Sequence, residues 1–280
     1  GRPGARRGGR VSSRPHPVLA EAADAARRAF LAAHERFDRE ELAATVMVGA
    51  DGTPTMLIDQ LVEDAVIEAA VQRRVNVLSE ERGFVDVGSA VTLVADPVDG
   101  SANAAAGVPL ACFSGALAVD GTFTDALTSW LHTDERWWAV RGERSRRVSG
   151  QASVAGAAVS LLRPHRRNAD AWWAVSSAAR RIRVLSCSTL DAVLVTTGAV
   201  DVFLDAGSDT HRLVDLAAAM VLAPAAGGVV TDVWERPLEL DLDLTRRWSG
   251  VVAATPQLAA EVSALVRAHV PASSEAPARA

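Results

Sequence analysis

Residues 17 to 37, PVLAEAADAARRAFLAAHERF, repeat apolar positions at three- and four-residue spacing, which predicts an amphipathic helix. The stretch VGADGTPT that follows is rich in Gly, Asp and Pro and reads as a loop. From Met56 the segment MLIDQLVEDAVIEAAVQRR returns to helical spacing, with Leu61, Val62, Ala65, Val66 and Ala69 along one face. VNVL at 75 to 78 then reads as a short strand with SEERG at its end; TLVAD and LACFSGALAV read as two more. Short apolar runs with Trp130, Trp137 and Trp138 carry strands and turns on from about 123 to 162.

The second half alternates more regularly. RIRVL is a strand, STLDAVLVTTGAV a helix, DVFLD a strand, and LVDLAAAMVLAPAAGG a helix closed by glycines. GVVTDV and GVVAAT are strands, and PQLAAEVSALVRAHV is a closing helix with Pro256 near its start. Alternation of this kind predicts a layered α/β architecture. We divide it at residue 150 into an N-terminal half, 17–150, and a C-terminal half, 151–270, with no internal repeat. The Arg- and Gly-rich start, residues 1–16, has no hydrophobic core of a secretory signal and reads as a flexible tail. The low-complexity end, 271–280, reads the same way.

Composition narrows the classes. The chain has 280 residues, 49% hydrophobic and 22% charged, which suits a folded globular protein. No apolar stretch is long enough to span a membrane. With 34 acids against 29 bases the formal charge is −5, which argues against a nucleic-acid binder. Every basic residue is Arg, so no Lys is available for a Schiff base or a phosphate clamp. Cys112 and Cys187 are too few for a disulfide framework or a cysteine-only zinc site, and they read as reduced thiols of a cytoplasmic protein.

Three acidic clusters share one kind of position. Glu80 and Glu81 follow VNVL, Asp96 and Asp99 follow TLVA, and Asp215 opens an Ala-rich helix soon after DVFLD. Ligand sites in α/β sheets collect where strands end. Carboxylates gathered there raise one another's pKa unless cations compensate, and hard oxygen sites of this type suit Mg²⁺ or Mn²⁺. In DPVDG, Pro97 restricts the turn, so two carboxylates and the Val98 carbonyl can face inward together. Gly100 allows close backbone approach to a phosphate. Taken singly, each acid also fits ordinary turn chemistry or a helix N-cap. It is the set that points to a metal site.

SEE before DPVDGSAN, then VDLAAAMVLAPAAGG downstream, resembles the two signatures of the inositol monophosphatase superfamily, over about residues 20 to 268. GADGTPTMLID, DGSANAAAGVP and the step from Asp205 to Asp215 with Arg212 between them are similar to its archaeal-type branch, which combines inositol monophosphatase and fructose-1,6-bisphosphatase activities. The resemblance implies an αβαβα sandwich and a homodimer. It implies metal ligation by Glu80, Asp96, the Val98 carbonyl, Asp99 and Asp215, with Glu81 beside them or sharing an ion. Asp59 would pair with the Ser101 hydroxyl to orient and deprotonate a water. Gly100, Ser101, Asn103, Asp205 and Arg212 would contact substrate.

Departures from the family pattern bear on substrate rather than on chemistry. Ser101 stands where Thr is usual, Val214 replaces an aromatic, Ala219 replaces a Gly, and SCST at 186–189 replaces GSAA. The expected reaction is hydrolysis of a small sugar or cyclitol phosphate with two or three Mg²⁺ ions, Mn²⁺ serving as an alternative. Other candidates are a phosphatase for a nucleotide, histidinol phosphate or a biosynthetic intermediate, and a non-catalytic sugar-phosphate-binding homologue. His211 reads as a solvated loop residue, with a substrate contact as its alternative. The pairs Trp137–Trp138 and Trp172–Trp173 read as ordinary packing.

Overall fold

A computed structural model describes residues 14–145 and 147–270. The tails expected at the two ends lie outside these residues, apart from residues 14–16. Helix α1 (Pro17–Arg36) starts on a proline, whose missing N–H costs nothing in a first turn, and buries Leu19 and Phe30 among alanines. A one-turn helix α2 (Arg39–Leu42) follows, capped reciprocally by Asp38 and Glu41. Strands β1 (Thr45–Val48) and β2 (Pro54–Met56) pair as an antiparallel hairpin. Helix α3 (Leu57–Gln72) leads into β3 (Asn76–Ser79), β4 (Gly83–Val85), β5 (Val91–Asp99), helix α4 (Ser101–Ala106), β6 (Cys112–Val119), β7 (Thr122–Trp130) and β8 (Arg136–Val140).

The remaining elements are β9 (Ala158–Leu161), α5 (Ala169–Ala178), β10 (Arg181–Arg183), α6 (Ser188–Thr196), β11 (Val202–Leu204), α7 (Leu213–Ala217), α8 (Ala219–Ala226), β12 (Val229–Asp232), β13 (Gly250–Ala253) and α9 (Pro256–His269). One sheet has six strands in the order β4-β3-β5-β6-β7-β8, with only β3 and β5 parallel. The other has five in the order β10-β9-β11-β13-β12, parallel across β10, β9 and β11.

Side-chain alternation along the strands sets the layers. On β5, Leu93 and Ala95 pack with Leu19, Phe30 and Val62 of α1 and α3, while Val94 packs with Leu216 and Val221 of α7 and α8. On β11, Phe203 meets Ala192 and Ala219 of α6 and α8, while Val202 and Leu204 face Val175 and Leu258 of α5 and α9. Both sheets are therefore covered on both faces, which is why their central strands read as unbroken apolar runs. The order is helix, sheet, helix, sheet, helix, as the expected αβαβα sandwich requires.

Four local expectations are revised. VGADGTPT is the turn and flanks of a hairpin rather than a plain loop, because its strands are short and Val48 is 68% exposed. SEERG turns into the unanticipated strand β4. The helix from Leu213 is two, broken at Ala218, with Pro224 inside the second. Helix α5 was not foreseen; it carries Trp172, whose indole N–H donates to the Leu162 carbonyl, and Trp173, which is 70% exposed.

Candidate active site

The pairing of β5 with β6 slips where the acids stand. Asp96 faces Ser114 and Asp99 faces Cys112, so three steps on β5 oppose two on β6 and one residue bulges out. Pro97, which has no N–H for the ladder, lies in that bulge. Val98 N–H donates to Asp96 Oδ1 at 3.1 Å. Asp99 Oδ2 accepts from the Thr189 N–H at 2.5 Å and from Cys187 Sγ at 3.4 Å, which ties the end of β5 to the first turn of α6. Gly100 then turns the chain at φ +85°, where a Cβ would lie 2.7 Å from the Leu110 carbonyl oxygen.

Three of the expected ligands meet. Glu80 from just past β3, Asp96 from β5 and Asp215 from α7 each offer an oxygen, and these all lie within 4.8 Å of one another. Arg212 N–H donates to Asp215 Oδ2 at 2.6 Å and fixes that side chain at the helix start. Burial pushes the carboxyls of Glu80 and Asp96 well above the usual range, and repulsion from the neighbouring acids raises them further. Asp99 is raised by the same two causes in the same order. The Arg212 guanidinium opposes this, with Nη2 2.8 Å from Glu80 Oε1 and Nε 2.6 Å from Asp51 Oδ2. Converging, mutually repelling carboxylate oxygens fit a hard divalent cation.

Beside the cluster, Glu81 accepts a hydrogen bond from the Thr55 hydroxyl of β2. Burial pushes its carboxyl up to about 7, with Asp59, Glu63 and Asp51 adding to the rise. Asp59, in the first turn of α3, is pushed up to about 6 by burial, while the nearby Ser101 hydroxyl and the Met56 N–H, 3.1 Å away, hold it down. The Ser101 proton itself goes to the Val98 carbonyl at 3.0 Å. That oxygen keeps a second lone pair, and rotation of the hydroxyl turns the proton between Val98 and the Asp59 side.

The acids Asp59, Glu80, Glu81, Asp96, Asp99 and Asp215 line one cleft of about 430 Å³, together with Val98, Gly100, Ser101 and Arg212. Two of the expected substrate contacts are placed elsewhere. Asn103 spends its amide on the carbonyls of Leu110, Leu185 and Ser186 and so clamps α4 to the chain before α6. Asp205 is fully buried, and its oxygens accept from Ser208 N–H and Oγ and from Thr210 N–H; it organises the loop that carries Arg212. His211 is corrected from a solvated residue to a buried one, 1% exposed. Its Nδ1 accepts from the Gly250 N–H at 3.1 Å and its ring meets Phe203 edge-on.

Residues that support or line the cleft were missed. Asp51 is buried at the hairpin turn and holds both Arg212 and Arg247. Glu63 accepts from the N–H groups of Glu81 and Arg82 and fixes the chain past β3. Arg163 also lines the cleft, two residues beyond β9. The signal that could have found it was present, because a basic run, RPHRR, follows a strand end just as the acids do.

The inositol monophosphatase family model matches residues 14–270. A fructose-1,6-bisphosphatase/inositol-1-monophosphatase from Methanothermobacter thermautotrophicus is 31% identical over 245 residues, covering 78% of this chain and 85% of that one. A protein of the same description from Thermococcus kodakarensis is 30% identical, with 79% and 86% covered. A crystal structure described as an inositol monophosphatase–fructose 1,6-bisphosphatase superposes with a TM-score of 0.78 at 24% identity, over 89% of this chain and 98% of that one. On its sequence and its five-layered fold, this chain belongs to the inositol monophosphatase family.

Proposed function

We propose that the protein is a Mg²⁺-dependent phosphomonoesterase acting on a small sugar or cyclitol phosphate. Metal-dependent hydrolysis of phosphate monoesters is the family activity, and the relatives named above are described as bisphosphatases and inositol monophosphatases. The observation that carries the reading is the meeting of Glu80, Asp96 and Asp215 in the cleft, with too few cations to neutralise them.

Glu80, Asp96 and Asp215 would hold a first ion, and Asp99 with the Val98 carbonyl would extend the site to a second. Bound there, a divalent cation lowers the pKa of a water and neutralises phosphate charge. The chain supplies the rest. Ser101 and Asp59 hold and pass a proton at the cleft wall, and Asp59, raised to about 6, is a base of suitable strength near neutral pH. Glu81, raised to about 7, stands beside it as a second proton acceptor. Gly100 and Ser101 put a sharply turned backbone on the cleft surface, where a phosphate can approach closely.

The test is phosphate release from a panel of inositol, sugar and nucleotide phosphates with Mg²⁺ and with chelator. Turnover of at least one ester that chelator abolishes supports the reading. Turnover that survives chelator, or no turnover although Mg²⁺ binds, overturns it.

A further inference from the structure

Strand β12 stands at the rim of the five-stranded sheet and, among the described residues, pairs only with β13. The Val233 N–H donates to the Ser249 carbonyl, while the Asp205 N–H donates to the Gly250 carbonyl from the other side of β13. In the register that follows, Thr231 bonds to Val251 and Val229 to Ala253, so Val230 turns both its N–H and its C=O to the open edge. Such an edge is a template for a further strand. A groove of about 570 Å³ lies beside it, walled by Met220 and Pro224 of α8 on one face and by Ala260, Ser263 and Arg267 of α9 on the other.

Helix α9 ends at this groove, where Arg267 Nη1 donates to the Val233 carbonyl and Val270 and Trp234 both lie against Gly207. The sequence continues with ten residues, PASSEAPARA, which span about 33 Å when extended, whereas α9 from Arg267 back to Pro256 measures only about 17 Å. Pro271 and Pro277 are six residues apart, so in an extended strand both missing N–H groups fall on one side. The N–H groups of Ala272, Ser274, Ala276 and Ala278 fall on the other. A strand that bonds to Val230 through these even positions therefore turns each proline to solvent. Its even side chains are all small and share the α8 face with Val230, while Glu275 takes the α9 face, where Arg267 stands. We propose that residues 271–280 fold back along α9 and add to β12 as an antiparallel strand, with Ala276 opposite Val230 and Glu275 paired to Arg267. The segment thereby occupies an edge on which another chain would otherwise add.

The test is hydrogen exchange of the Val230 amide in the full chain, followed by NMR at several protein concentrations. Wild type is compared with Ala276→Pro, Ser273→Pro and Glu275→Arg, all of them changes outside the cleft and the buried core. Ala276→Pro removes an inward N–H and sets a ring against the edge, and its Val230 amide should exchange at least about tenfold faster than in the wild type. Ser273→Pro removes an outward N–H and should stay within about threefold of the wild type. Glu275→Arg should lose part of the protection, because it places a like charge beside Arg267. Equal exchange at Val230 in wild type and Ala276→Pro would overturn the proposal. Protection that persists in Ala276→Pro and grows with protein concentration would overturn it as well, and would give the edge to a second copy of the chain.

Discussion

Arg212 Nε lies 2.6 Å from Asp51 Oδ2, so the turn of the β1–β2 hairpin is fastened to the loop that precedes α7. The same guanidinium reaches Glu80, and Arg247 supports Asp51 from a further segment. One cation thereby joins the hairpin, the acidic cluster and the C-terminal half. Arg212→Met should leave buried Asp51 and half-buried Glu80 without that partner, at a cost on the order of 3–5 kcal/mol. Urea unfolding with chelator should show that loss, and added Mg²⁺ should return part of it. No loss would mean that Arg212 is a bystander.

Asp96→Asn removes one of three converging carboxylates. Mg²⁺-dependent phosphate release should fall by at least about a hundredfold. In chelator the variant should melt higher than the wild type, because a source of repulsion among Glu80, Asp96 and Asp215 is gone. Thermal melts with and without Mg²⁺ check both halves, and a wild-type Mg²⁺ shift in the variant would count against the site.

Ser101→Ala should separate proton handling from cation binding. We expect kcat to drop about a hundred- to ten-thousandfold, a typical share for one positioned proton-transfer group. The Mg²⁺-induced rise in melting temperature should persist, since the Ser101 side chain offers no carboxylate. Unchanged kcat would remove the serine from the mechanism.

The pH dependence of stability has a defined sign. Asp59 is raised from 3.8 to about 6 and Glu81 from 4.5 to about 7 in the folded protein. Between those limits the folded state binds more protons than the unfolded one. The stabilisation is complete below about pH 4 and is lost as pH rises to about 7. In chelator the melting temperature should therefore fall across that window from these two groups, and Mg²⁺ should stabilise more strongly at the upper end. A melting temperature that climbs through it in chelator would contradict the assignment.

Gly100→Ala tests the backbone turn between Asp99 and α4. At φ +85° with a carbonyl oxygen 2.7 Å from the new methyl, the change should cost about 1–3 kcal/mol and lower phosphate release as well. Urea midpoints and the phosphate assay measure the two effects separately.

Much of this was visible in the sequence, and the exceptions have physical reasons. The apolar runs of β5 and β6 showed plainly because both faces of their sheet are covered. The run of acids at strand ends pointed to the cleft before any geometry was known. The hairpin around Asp51 did not show, because strands that bury little carry no alternation to read. The break at Ala218 did not show either, since an Ala- and Leu-rich run looks the same whether one helix or two pass through it. Asp205 misled for another reason: an acid that caps its own loop is the same residue type as one that meets a sugar hydroxyl. The bulge at Pro97 is a matter of register with β6, which no single segment contains.

The bond from the Thr189 N–H to Asp99 Oδ2 spans ninety residues of chain. A ribosome therefore delivers Glu80, Asp96 and Asp99 well before Thr189, Arg212 and Asp215 exist to receive them. The nascent N-terminal half carries an acid cluster without the Arg212 counter-charge and the Thr189 anchor, and only the arrival of α6 and α7 completes it. A chain released before residue 215 would keep most of the carboxylates but would lack the arrangement that gives them a use.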